Sequence, residues 1–199
     1  PLEVYAGCDV REVYDHRSDG IADRVTLAQY NERGRRTRRV DHDGQGSTIT
    51  AIDLIVYGNA GRMMERSIDR EPIGSVDWMQ YWRYLGDRLT GTETDGDGDG
   101  EIDYRTKLTY DDREMIVAVL NDEGADGAYD SATYFEYNSK NQLTWERDDL
   151  DFDGQPDAAL NYTWRDDLPH RDFRYLSRNG DLVLDYTVDY RYNNLGLEE

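Results

Sequence analysis

The chain has 199 residues, 37% of them hydrophobic, and a formal net charge of -20 at pH 7. Its length allows a sizeable core, but apolar burial must rest on 16 tyrosines, four tryptophans and three phenylalanines, which favours thin aromatic-rich sheets and excludes a disordered tail. The acidity argues against a nucleic-acid partner, no stretch is long and apolar enough for a membrane span, and a lone cysteine, Cys8, excludes an internal disulfide framework.

Pro1 to Tyr14 reads as half a hairpin, with a turn from Tyr5 to Asp9 and then a second strand. Val4-Tyr5-Ala6-Gly7-Cys8 resembles a bacterial lipoprotein cleavage site, but the upstream hydrophobic segment is absent and the repeat register accounts for the same residues. With no basic-then-apolar signal before Pro1, the chain reads as a mature or excised piece.

From Asp15 onward the chain repeats. An aromatic ends each first strand, at Tyr30, Tyr57, Tyr84, Tyr110, Tyr137, Trp164 and Tyr192, with spacings of 26 to 28 residues. The repeats start near residues 15, 41, 69, 95, 122, 149 and 177, the last being incomplete, and residues 1–199 read as a single repeat domain. Each repeat is loop, strand, tight turn, strand. Runs such as Arg24 to Tyr30 and Tyr186 to Tyr192 alternate β-branched and aromatic residues with period two, and turns such as Asn31 to Gly34, Gly58 to Gly61 and Asn138 to Asn141 hold residues that tolerate positive φ.

Side-chain parity places Trp78, Trp82, Tyr84, Tyr162, Trp164, Tyr186, Val188, Tyr190 and Tyr192 on one face, expected to be buried. Ile52, Leu54 and Val56 lie on the other face, so the first part of the sheet is expected to be covered on both sides. Helix signals are missing. The fold class is all-β: an antiparallel meander of about seven hairpin repeats forming an extended, curved sheet, either an open spiral or shell, or a barrel closed by the terminal half-hairpins.

The loops carry the chemistry. Asp95 to Asp103 and Asp149 to Asp157 both read D-x-D-x-D-G-x-x-D. Alternate carboxylates before a glycine let the chain turn around one hard cation, with oxygens from positions 1, 3 and 5, a backbone carbonyl from 7 and an oxygen from 9. The candidate calcium ligands are Asp95, Asp97, Asp99, Glu101 and Asp103, and Asp149, Asp151, Asp153, Gln155 and Asp157. Weaker sets are Asp122, Asp126 and Asp130, with Gly124 at position 3, and Asp15, Asp19 and Asp23, where Arg17 could serve as an internal cation instead of a metal. Repeat seven offers Ser177, Asn179, Asp181 and Asp185, repeat three Asp69, Glu71 and Asp77, and repeat two Asp41 and Asp43. The competing reading of every loop is a polar turn whose Asp and Gly residues serve local backbone bonding. About half of the 43 acidic residues fall at these ligand positions, so bound calcium would relieve much of the self-repulsion.

The turn segments Tyr30-Asn31-Glu32-Arg33-Gly34-Arg35, Tyr57-Gly58-Asn59-Ala60-Gly61-Arg62, Tyr110-Asp111-Asp112 and Tyr137 to Leu143 resemble the YD repeat of Rhs-type bacterial surface and toxin proteins. That resemblance implies consecutive hairpins in a long sheet that curls into a hollow shell. The loops resemble those of thrombospondin type 3 repeats and EF-hand-like modules, although the position-12 glutamate of an EF-hand is replaced by Thr106 and Leu160. Low-affinity calcium loops in bulk suit an extracellular or bacterial cell-surface setting. The expected function is a calcium-binding structural module, serving as adhesive, stalk or shell segment. Its rival is a carbohydrate- or ligand-binding module using exposed aromatics such as Trp78, Trp82, Trp145 and Trp164, with a glycan or surface protein as partner.

No catalytic constellation stands out. His16 and His42 share a repeat position beside the first loop aspartate and read as exposed loop residues, and His170 follows Pro169 in a turn. The only basic run, Arg35, Arg36, Arg38 and Arg39, reads as a strand balanced by acidic neighbours rather than as an anion patch.

Overall fold

The computed structural model describes residues 9–165 and 167–192. Their regular structure is entirely β: β1 (Asp9–Tyr14), β2 (Arg24–Tyr30), β3 (Arg36–Asp43), β4 (Ile49–Tyr57), β5 (Met63–Arg70), β6 (Trp78–Leu85), β7 (Arg88–Asp95), β8 (Tyr104–Tyr110), β9 (Ile116–Glu123), β10 (Ser131–Tyr137), β11 (Leu143–Asp149), β12 (Ala158–Arg165), β13 (Leu168–Arg178) and β14 (Asp181–Asp189). The hydrogen-bonded order follows the chain from β1 to β14, with no pairing of β14 back to β1. The expected meander is therefore present, and among the described residues it is not closed into a barrel. Cys8 with the rest of the turn before Asp9, and the turn Asn193 to Gly196, lie outside the described residues.

The chain divides into two compact units, one running to Tyr104 and one from Arg105. In the first, Val25, Ala28, Val40 and Ile55 are buried together with the polar Thr26, Asp53, Ser67 and Asp95. In the second, the buried residues are Ala118, Ala132, Ala159, Asp122 and Asp149. Small residues and aspartates thus take the places that large aliphatics hold in a layered fold.

The expectation of a sealed aromatic face is not met. Trp78, Trp82, Tyr84, Tyr162 and Trp164 are half-buried, and Tyr186 and Val188 are exposed. Leu54 and Val56 on the opposite face are also exposed, so β4 is not covered on both sides, although Val25 on that face of β2 is buried. The physical reason is that, among the described residues, the substantial strand contacts join meander neighbours, so each ring is shielded along its flanks and not from above.

The anchor aromatic marks a β-bulge. Pairing shifts between Gln29 and Tyr30, Val56 and Tyr57, Arg83 and Tyr84, Glu136 and Tyr137, and Thr163 and Trp164, leaving Thr37, Met64, Thr90, Thr144 and His170 as the extra residues on the return strands. At three of these places a threonine hydroxyl occupies the gap. Thr37, Thr90 and Thr144 donate to the carbonyls of Gln29 (3.4 Å), Arg83 (3.1 Å) and Glu136 (3.0 Å).

The asparagine or aspartate after the anchor closes the turn. Asn31 Oδ1 accepts the amides of Arg33 and Arg35, Asp111 Oδ1 those of Arg113 and Met115, and Asn138 Oδ1 those of Lys140 and Gln142. The Met115 amide, aided by Arg113, holds the Asp111 carboxyl below its usual range against a smaller opposing effect of burial. Successive turns are then laced together by long side chains. Arg33 reaches the Asn59 carbonyl (3.0 Å), Arg35 that of Gly61, and Arg62 both Gly86 and Asp87 in the first unit. In the second, Arg113 reaches the Asn138 carbonyl (2.9 Å) and Lys140 the Asp167 carboxylate (2.6 Å).

The basic run is indeed absorbed by its surroundings. Arg36 pairs with Asp53, Arg39 with Asp41, and Arg35 lies over the Tyr57 ring.

Candidate metal centres

Five loops share one backbone clasp, which explains much of their acidity without any ion. The position-1 carboxylate accepts the amide of position 6: Asp15 from Gly20 (2.8 Å), Asp69 from Gly74 (3.1 Å), Asp95 from Gly100 (2.9 Å), Asp122 from Gly127 (3.2 Å) and Asp149 from Gly154 (3.0 Å). The position-9 carboxylate reaches back to the amide of position 2, in Asp23 to His16 (2.8 Å), Asp77 to Arg70, Asp103 to Gly96 (2.6 Å), Asp130 to Glu123 (2.6 Å) and Asp157 to Leu150 (2.7 Å). At position 5, Asp19, Asp99, Asp126 and Asp153 accept the amides of Ile21, Glu101, Ala128 and Gln155. The local-bonding reading of these aspartates is therefore correct as far as it goes.

Position 3 separates loops four and six from loops one and five, where it is Arg17 and Gly124, while loop three has Glu71 there but Ile73 at position 5. In loop four (95–103) one carboxylate oxygen from each of Asp95, Asp97 and Asp99 lies within 4.8 Å of the others, and in loop six (149–157) the same holds for Asp149, Asp151 and Asp153. The first member of each triad is buried and the other two are exposed, so the group opens outward. Three hard oxygen donors at this spacing can hold a divalent cation, with water completing the shell. Asp103 and Asp157 are not in these triads, and Glu101 and Gln155 enter through their backbone amides. A Cβ on Gly98 would sit 1.7 Å from the Val76 carbonyl, so loop four needs a glycine there to lie against loop three (69–77).

Among the described residues, Asp15, Asp19 and Asp23 form no such triad, and neither do Asp122, Asp126 and Asp130. In loop one (15–23), Arg17 pairs with Asp23 and lies 3.8 Å from Asp19. Burial pushes the Asp23 carboxyl up, but the His16 amide and the Arg17 guanidinium outweigh it and hold the group below its usual range. In loop five (122–130), Arg105 donates to the Ala125 carbonyl and lies 3.8 Å from Asp122. Sequence reasoning missed Arg105 because it sits on β8 and not in the loop. A usable signal existed: residue 105 holds the repeat position of Val25, Ala132 and Ala159, which are apolar and buried, and of Ile52 and Met79, so a charged residue stands out there.

The segments of repeats two and seven are built differently from the five clasped loops. Asp41 lies within β3, accepting from Thr26 Oγ1 (2.6 Å) and Arg39 (3.0 Å), while Asp43 closes a short turn through the Ser47 amide (2.8 Å) and hydroxyl (2.9 Å). Repeat seven is shorter still. Asn179 and Gly180, with φ of 56° and 85°, form a two-residue hairpin between β13 and β14, which leaves Ser177, Asp181 and Asp185 in strands. His42 also departs from expectation, lying in β3 with a buried Nδ1 that has no hydrogen-bond partner, whereas His16 is exposed and stacks on Tyr14.

No protein-family model and no curated protein sequence matches the chain. Its fold is similar to segments of toxin structures. These include the Photorhabdus luminescens Tc holotoxin pore, at a TM-score of 0.60 and 14% identity, and a TcdB2–TccC3 complex, at 0.58 and 14%. Each match covers 86% of this chain but only 9% of the toxin chain. At such identity the likeness is one of fold: a β-repeat architecture shared with part of a much longer protein. No helix among the described residues is long and apolar enough to cross a membrane.

Proposed function

We propose that the chain is a calcium-binding structural segment of a secreted or cell-surface bacterial protein, a shell, stalk or adhesive element of Rhs-like type. Calcium in loops four and six would make it rigid. The observation that carries this reading is the pair of aspartate triads, Asp95, Asp97, Asp99 and Asp149, Asp151, Asp153, in equivalent loops two repeats apart. All donors are carboxylate oxygens, which suits calcium better than softer metals. The Glu101 and Gln155 carbonyls are the position-7 ligands of this scheme, while Asp103 and Asp157 clasp the loop from outside. A bound ion would neutralise carboxylates that otherwise repel one another and would fix the hairpins that flank the loop. The anchor-and-turn motif, and the similarity in fold to part of large toxin chains, support a shell segment over the other structural roles.

Thermal unfolding in millimolar calcium and in chelator tests the reading. Calcium is expected to raise the melting temperature, and Asp97→Asn with Asp151→Asn to abolish the rise while the chelator value stays near that of the parent. At a free concentration of about 100 times Kd the stabilisation is about 2.7 kcal/mol, a shift of several degrees. An unchanged melting temperature in the parent chain would sink the proposal.

A further inference from the structure

We infer that arginine is the resident cation of loops one and five: Arg17 and Arg105 supply with a guanidinium the positive charge that a metal ion would supply in loops four and six. They thereby decide which loops of the array respond to calcium. The inference rests on the calcium reading of loops four and six and deepens it.

Several observations converge. All five clasped loops hold a carboxylate at position 1, bonded to the same glycine amide, so the frame that gathers negative charge is common to them. Among the described residues, none of the eight aspartates in loops four and six is ion-paired with lysine or arginine. Arg17 itself stands at position 3 of loop one, where loops four and six carry Asp97 and Asp151, and its guanidinium turns back onto Asp23 and Asp19.

Loop five reaches the same end from outside. In the register of the sheet, the residue facing a position-1 aspartate is Met79 for Asp95 and Ala132 for Asp149. Counting by repeats, the same place beside Asp122 belongs to Arg105, whose guanidinium lies 3.8 Å from the carboxylate. Asp122 is 3% exposed, and its Oδ1 is buried with no hydrogen-bond partner, whereas Asp95 Oδ1 accepts Gly98 N (2.6 Å) and Asp149 Oδ1 accepts Asp153 N (3.1 Å). A buried carboxylate is costly without a nearby positive charge, and the Arg105 guanidinium approaches Asp122 on its Oδ2 side, the oxygen that also accepts the Gly127 amide.

The test is to count and place bound calcium. The parent chain, titrated with calcium by calorimetry, is expected to bind two ions, one for each triad. Arg17→Asp completes D-x-D-x-D-G-x-x-D in loop one and is expected to raise the count to three, while Arg17→Gln leaves it at two. The reciprocal change, Asp97→Arg, is expected to remove one ion and to leave the melting temperature in chelator at or above that of the parent. Arg105→Gln is expected to lower the melting temperature in chelator and to gain more from millimolar calcium than the parent chain does. A parent chain that binds no calcium defeats the underlying proposal. A parent that binds two ions, with a folded Arg17→Asp variant that also binds two, overturns the inference for loop one. An Arg105→Gln variant whose gain in calcium is no larger than the parent's overturns it for loop five.

Discussion

The hydroxyl of Tyr57 donates to the carbonyl of Arg36 at 3.1 Å, tying the anchor of one repeat to the first residue of the preceding return strand. The same step of 21 residues recurs from Tyr137 to Ile116 at 2.9 Å and from the Trp164 indole to Leu143 at 2.7 Å. The aromatic repeat is thus read by its polar tip as well as by its ring. At these three anchors the bond needs a donor, which Tyr and Trp carry and Phe does not.

Removing that donor gives the first prediction. Tyr137→Phe keeps the ring and strands the Ile116 carbonyl, so it is expected to destabilise the chain by about 1 kcal/mol, with Trp164→Phe costing somewhat more because ring area is lost as well. Urea midpoints of the single and double variants check this. The two losses should add, because the residues share no partner.

A second prediction concerns Asp53, which is 8% exposed and bound by Arg36 (2.9 Å) and by both nitrogens of the Arg66 fork (2.9 and 3.0 Å). Asp53→Asn leaves two guanidiniums facing a neutral amide. Their partial exposure lets water screen the loss, so the expected cost is about 2 kcal/mol rather than the larger figure for a fully buried pair. Breaking the exposed Lys140 and Asp167 pair by Asp167→Asn should move the urea midpoint little.

Acid provides a third. The Ser47 amide is the main cause that lowers the Asp43 carboxyl, which sits at about 2 against an ordinary value of 3.8. Because the folded value lies below the unfolded one, protons favour the unfolded chain. The contribution is therefore present above about pH 4 and lost as pH falls towards 2. Acid unfolding of Asp43→Asn, compared with the parent, should lack that part of the decline, and Ser47→Ala should lessen it.

The Asn179-Gly180 hairpin supplies a fourth. At φ of 85°, Gly180→Ala is expected to cost about 1 kcal/mol from backbone strain alone, although its Cβ would meet only Gln155 Oε1 at 3.5 Å. Asn179→Gly should be tolerated. Thermal melts of the two variants distinguish a demand on the backbone from one on the side chain.

The strands, their order and the turns were legible because period-two alternation and Asn or Gly turns are local signals, and the 27-residue step from Tyr30 to Tyr57 repeats them. Asp95 to Asp99 and Asp149 to Asp153 were equally legible, since the residues that meet are two apart in sequence. What failed was non-local or competed with a stronger rule. Ser177 to Asp185 matched the spacing of a ligand loop, yet Asn179-Gly180 is a tighter hairpin signal and prevailed. Burial of Tyr186 and Val188 was inferred from alternation, which assigns a residue to a face but says nothing of what covers that face. Arg105 lies 17 residues from Asp122 and becomes visible only when strands are aligned by register.

A sheet in which each strand meets only its neighbours in the chain behaves as a one-dimensional system. Its stability is close to a sum over hairpins and the junctions between them, so damage at one turn spreads no further than the next. Folding can begin at any hairpin and spread in both directions, because among the described residues the substantial strand contacts join neighbours along the chain. Selection acting on such an architecture can lengthen, shorten or retune it one repeat at a time.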